Sequence, residues 1–360
     1  MLYPKEFEMS QEKQKFLFAH FPKIELHRHL EGTFDLPTLY RIAMKNKLDV
    51  PKDFASFKQF VQFPKNSKPD FQLFLSKFKN DWYRSYEDVY DITYASIKNL
   101  KQDGIFYIEI RFSPEHFSLQ NNYDRGEITR LVIEAGNKAA SESDIRIRYL
   151  ITLNRGKQEK KEMLKLYKMI TLLDVSDIVG IDLAGDEQNY PVNQFKDLFA
   201  TISQDGIYKS TIHAGEVTPS SEVWAALELN ASRIGHGTAT ITDPELQSVL
   251  KERFIPLEQC ITSNYQTGSW PDETNHPLGT LFRLGVPVTI NSDDPTIQDT
   301  DLSDDYAKAA KFFNFGIEEF TALNLTAIRS SFLPEEEKEI LRTDYLKSVE
   351  QFKKDYSSVQ

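Results

Sequence analysis

The sequence predicts one (β/α)8 barrel, a TIM barrel, over residues 1–360. Short β-rich segments alternate with longer helical patterns from Lys23 onward, these segments number eight, and several end in side chains capable of chemistry. Such alternation is the sequence form of a parallel sheet with crossover helices, and barrel enzymes assemble their sites at the C-terminal ends of the strands.

Taken in order, the first strand is expected at 24–30 and carries His27 and His29. A long helical insert at 35–104 follows, with Phe54, Phe57, Phe60, Phe63, Phe71, Phe74 and Phe78. These aromatics read first as packing of helices onto the barrel wall and second as a lid. The second strand, 106–112, carries Arg111, which is expected to pair with a barrel carboxylate such as Glu109 or Glu25. Strands at 145–153 and 178–183 come next, the latter running into Gly185. Then 209–213 ends on His213, the short 232–235 precedes His236, 255–260 contains the single cysteine, Cys260, and 286–291 leads into Asp293 and Asp294. From 334 to 360 the charged pattern reads as an amphipathic helix on the outside. No repeat, low-complexity tract or flexible linker divides the chain.

Composition bounds the function. With 40% hydrophobic and 27% charged residues the chain can bury a large core. A formal charge of −11 opposes grip on a nucleic-acid backbone, and no apolar run approaches the roughly 20 residues of a membrane-spanning helix. Neither nucleic acid nor a membrane is an expected partner. The N-terminal stretch breaks each apolar run with charge, unlike a secretory signal, and one cysteine forms no internal disulfide, so a cytoplasmic location is expected.

On a strand, side chains two residues apart share a face. His27 and His29 can therefore reach one ion, each ring nitrogen about 2.0–2.1 Å from it. His213 closes the strand of TIHAGE, three residues before Glu216, and Asp293 follows an apolar strand beside Asp294. Two adjacent carboxylates at a barrel mouth repel each other unless a cation or protonation of one of them compensates. A cation on Asp293 relieves the conflict and leaves Asp294 for the substrate. Three imidazoles and one carboxylate suit Zn²⁺, with iron or cobalt as alternatives, and water on such an ion becomes a nucleophile near neutral pH. Glu216, beyond a short Ala-Gly turn, is assigned proton transfer. His236, between two glycines, is either a fifth ligand or a general base. His20, His116 and His276 lack such a context and are expected in packing or surface roles.

Seven motifs, PKIELHRHLEGT, FYIEIRFSP, DLAGDE, HAGE, RIGHGT, SNYQTGSW and NSDDP, occur in one order across most of the chain. In wording and order they resemble the adenosine deaminase family, its bacterial form included. The resemblance implies that His27, His29, His213 and Asp293 bind one zinc ion, with His29 also facing the substrate, a purine nucleoside. It implies that Glu216 protonates purine N1, that His236 holds and helps deprotonate the attacking water, that Asp294 hydrogen-bonds N7, and that the Gly185 N–H addresses N3. Glu31 stands where the family commonly has Asp, at the position receiving the ribose 5′ hydroxyl. An acid there disfavours a 5′-phosphate. The implied reaction is hydrolysis of adenosine, and of deoxyadenosine, to inosine and ammonia. The alternative is a deaminase of adenine, N6-methyl-AMP or a 5′-substituted adenosine. A catalytically idle binding barrel has no need of the full set, and an amidohydrolase acting on esters or cyclic amides lacks here a visible lysine to bridge a second metal.

Overall fold

The computed structural model describes residues 11–356 apart from 66, 80, 118 and 120–122. Eight strands form the sheet: β1 Lys23–His29, β2 Ile105–Phe112, β3 Arg146–Arg155, β4 Ile178–Gly185, β5 Lys209–Ala214, β6 Arg233–His236, β7 Leu257–Gln259 and β8 Val288–Ile290. They lie side by side in chain order, each paired parallel to the next, with helices between them. This is the expected (β/α)8 barrel. It closes at a parallel bridge between Arg28 and Asp293. There the N–H of Asp293 donates to the carbonyl of His27 (3.0 Å) and the N–H of His29 donates to the carbonyl of Asp293 (2.9 Å). The seam of the barrel thus runs through three of the expected metal ligands.

The last two strands are shorter than the expected 255–260 and 286–291. Pro256 and Pro287 precede them and have no N–H to give the ladder. Their carbonyls still pair, accepting from Ile234 and Leu257 respectively at 3.0 Å.

Inside the barrel lies a fully buried ionic layer. Arg111 pairs with Asp182 (3.1 Å) and Glu258 (2.8 Å), not with the expected Glu109 or Glu25. Glu109 sits two residues nearer the start of its strand, one layer lower in the barrel, where Arg233 takes it at 2.5 Å. Glu25 is held by Arg28 at 2.7 Å.

Four helices make up the insert: Leu36–Lys45, Phe54–Val61, Phe71–Leu75 and Tyr86–Asn99. Each begins at a side chain that accepts a free first-turn N–H: Asp35 from Thr38, Asp53 from Ser56, Asp70 from Leu73 and Ser85 from Asp88. Phe57, Phe63, Phe71 and Phe74 are buried, whereas Phe54 and Phe60 are exposed. The C-terminal helix Glu335–Tyr356 buries Lys338, Leu341, Tyr345, Val349 and Phe352, three or four residues apart, as an amphipathic helix does. Residues 357–360 of the expected tail helix lie outside the described residues. Among the described residues no helix is long and apolar enough to cross a membrane.

Candidate metal and catalytic site

At the C-terminal mouth of the barrel, His27, His29, His213 and Asp293 each offer one ligand atom within 4.8 Å of the others. These are the four expected ligands. Glu258 holds His27 Nδ1 at 2.8 Å and Asp182 holds His213 Nδ1 at 3.0 Å, so each ring turns its Nε2 toward the cluster. His29 Nε2 lies 3.2 Å from His213 Nε2, and His27 Nε2 is buried with no hydrogen-bond partner among the described residues. Asp293 Oδ1 stands 3.1 Å from His27 Nε2, and Ser263 donates to Asp293 Oδ2 at 2.6 Å. Imidazole lone pairs that converge in this way, beside a carboxylate, fit a bound cation. Burial would raise the Asp293 carboxyl, but His27, His236 and His29 hold it well below its usual range.

Two non-glycine residues of the site adopt the left-handed backbone: Asp293 at φ 65° and His236 at φ 58°. Such positions cost about 1–3 kcal/mol each and persist where the surroundings impose them. Here the β8–β1 bridge holds the first, and Gln259, whose amide donates to the His236 carbonyl, helps hold the second.

Glu216 follows His213 through Ala214 and Gly215, whose φ of 66° makes the turn. Burial, then Glu187 and Asp293, push the Glu216 carboxyl well above its usual range. His236 Nε2 faces Glu216 Oε2 at 3.6 Å. Asp294 is likewise buried, and burial together with the Asp293 charge raises it well above the carboxylate range. It rests against Gly32, where a β-carbon would meet Asp294 Oδ1 at 1.9 Å. A cavity of ≈ 560 Å³ opens above, and every expected site residue except His27 lines it. Gly185, at φ 103°, brings the end of β4 to its wall. Glu31 accepts the Ser113 N–H at 2.5 Å, and burial pushes its carboxyl up to about 7. Phe71, Phe74 and Phe78 of the insert line the cavity too, so the aromatic segment both packs and walls the site.

Sequence reasoning missed the residues that orient the others. Asp182, Glu258 and Ser263 hold His213, His27 and Asp293, and Asn264 and His276 stand behind His236. Asp182 and Glu258 carried a signal, since a lone acid inside an apolar strand needs a buried partner. His116, expected in a packing or surface role, is buried at the cavity wall.

A family model described as adenosine deaminase matches residues 22–347. The adenosine deaminase of Yersinia enterocolitica is 31% identical over 327 residues, which cover 89% of this chain and 97% of that protein. Among solved structures, an adenine deaminase from Arthrobacter aurescens matches with a TM-score of 0.83 at 24% identity, covering 91% of this chain and 99% of that one. A zinc-bound amidohydrolase from Burkholderia ambifaria matches with a TM-score of 0.86 at 20% identity, covering 99% and 98%. Both share the barrel fold. With the family model spanning most of its length, the chain belongs to the adenosine deaminase family.

Proposed function

We propose that this chain converts adenosine, and 2′-deoxyadenosine, with water to inosine and ammonia. The observation that carries the reading is a single cavity in which a three-histidine, one-carboxylate cluster stands beside two buried carboxyl groups, Glu216 and Asp294, whose surroundings favour the protonated form. The nitrogen-rich ligand set suits zinc, which when bound supplies Lewis acidity and lowers the proton affinity of a water toward neutrality.

The residues of this chain do the rest. His27, His29, His213 and Asp293 hold the ion, with Asp182 and Glu258 fixing two of the rings. Glu216 gives its proton to purine N1, which makes C6 electrophilic. The C6–O bond forms and the C6–N6 bond breaks. One proton of the water ends on N1 by way of Glu216, and the other ends on the departing nitrogen. Asp294, protonated, donates to N7, and the Gly185 N–H reaches N3. His236 presents Nε2 to the reacting oxygen. Glu31 takes the 5′ hydroxyl, and as a buried acid it disfavours a 5′-phosphate. Residues 1–360 act as one barrel domain in this scheme, and the buried, unpaired Cys260 asks for no oxidising compartment, in keeping with the cytoplasm.

Steady-state kcat/KM for adenosine, adenine and AMP tests the reading. Adenosine should be preferred. A preference for adenine would make the protein a base deaminase, and equal turnover of AMP would overturn the role given to Glu31.

A further inference from the structure

Behind His236 lie two buried residues that the scheme above leaves unused, Asn264 and His276. His276 caps the helix Pro277–Arg283, and its Nδ1 accepts the backbone N–H of Leu278 at 3.2 Å. A backbone N–H only donates, so Nδ1 carries the lone pair. Burial drives this ring's pKa down to about 3, so it is neutral and its proton sits on Nε2. Nε2 in turn donates to Asn264 Oδ1 at 3.0 Å. With its oxygen taken, Asn264 turns its amide nitrogen to His236 Nδ1, 3.1 Å away. All three side chains are at most 1% exposed, so bulk water has no access to replace a link. On the other side of the ring, His236 Nε2 faces Asp293 Oδ2 at 3.9 Å, a carboxylate that accepts, and Glu216 Oε2 at 3.6 Å, whose proton the proposed scheme commits to purine N1.

We propose that the chain from the Leu278 N–H through His276 and Asn264 fixes His236 as its Nε2–H tautomer, so that His236 meets the reacting oxygen as a hydrogen-bond donor and not as a base. Asn264 and His276 are then positioning residues. The tautomer follows from the hydrogen-bond chain alone, while its use in catalysis rests on the proposed function. As the C6–O bond forms, the C6–N1 π pair moves to N1, which takes the Glu216 proton, and His236 keeps its own while stabilising charge on the oxygen.

¹⁵N imidazole spectroscopy of the zinc-loaded protein, labelled at histidine and with His236 assigned by the spectrum of His236→Asn, reads the tautomer directly. The expected spectrum has a protonated Nε2 and a pyridine-like Nδ1. The reverse pattern overturns the proposal. Asn264→Asp puts an acceptor where the amide donated, so His236 should move its proton to Nδ1. A wrong tautomer in a catalytic histidine is severe, and kcat for adenosine should fall by about 100-fold or more while KM and zinc content hold. A changed spectrum with unchanged kcat overturns the donor role, as does a loss of kcat that merely tracks lost zinc. Should the parent protein fail to deaminate adenosine, the proposed function fails, and the spectrum still decides the tautomer.

Discussion

Gly32→Ala places one methyl group against Asp294. The added carbon would lie 1.9 Å from Oδ1 and 2.5 Å from both Cβ and Cγ of Asp294, so something must move. The two backbones are pinned. Thr33 donates to Leu30 and His29 carbonyls on one side (3.1 and 2.7 Å), and Gln298 donates to the Asp294 carbonyl on the other (3.0 Å). Rotation about the Asp294 Cα–Cβ bond clears Oδ1 and Cγ but leaves Cβ in place, so the pinned backbones must also yield, and the contact proposed between Asp294 and purine N7 is displaced. Losing one hydrogen bond in a buried site costs about 1.5–3 kcal/mol, or roughly 10- to 150-fold in kcat/KM. Overpacking adds about 1–3 kcal/mol against folding. None of the four proposed metal ligands is among the atoms the new methyl meets, so zinc content should equal that of the parent. The assay is the loss of adenosine absorbance near the purine maximum. A variant within about two-fold of the parent in kcat/KM would refute the reasoning.

Three further outcomes follow from the same geometry. Asp182→Asn removes the carboxylate that orients His213 at 3.0 Å, and competition with a chelator should report metal affinity weaker by about 10- to 100-fold. Gly185→Ala asks alanine to take φ 103° with its β-carbon 2.3 Å from the Arg155 carbonyl oxygen; displacing the wall proposed to meet N3 should raise KM about tenfold or more, which initial rates would detect. Asp305→Asn addresses stability. Burial lifts the Asp305 carboxyl from 3.8 to about 7 in the folded protein. Between those values the folded state holds a proton that the unfolded chain has lost, so stability falls as pH rises from about 4 to about 7, by up to about 1.4 kcal/mol per pH unit. The variant removes that dependence while keeping an oxygen for Thr262. Its urea midpoint should exceed the parent's at about pH 8 and converge with it near pH 4, and equal midpoints at both would contradict the assignment.

The cluster of expected ligands was legible because the strand period alone puts His27 and His29 on one face and because Asp293 and Asp294 stand side by side at a strand end. The barrel was legible because eight short β-rich segments alternate with longer helical patterns along the chain. What a single sequence does not reveal is level within the barrel. Glu109 and Arg111 share a strand and a face, yet one meets Arg233 and the other meets Asp182 and Glu258. These partners are fixed by the stagger of neighbouring strands, which no local pattern encodes. The support for His236 was hidden for a related reason: Asn264 and His276 lie in loops and short helices whose path depends on the whole β7–β8 region. The short ends of β7 and β8, by contrast, were readable from Pro256 and Pro287.

The central claim is that Glu216 delivers the proton that makes purine C6 electrophilic. Zinc-loaded protein and its Glu216→Gln variant, of equal metal content, should be compared for the fall in adenosine absorbance and for ammonia released. The parent should release one ammonia per inosine, and kcat in the variant should be lower by about 100-fold or more, the range general acid catalysis contributes. A variant as active as the parent would contradict the claim.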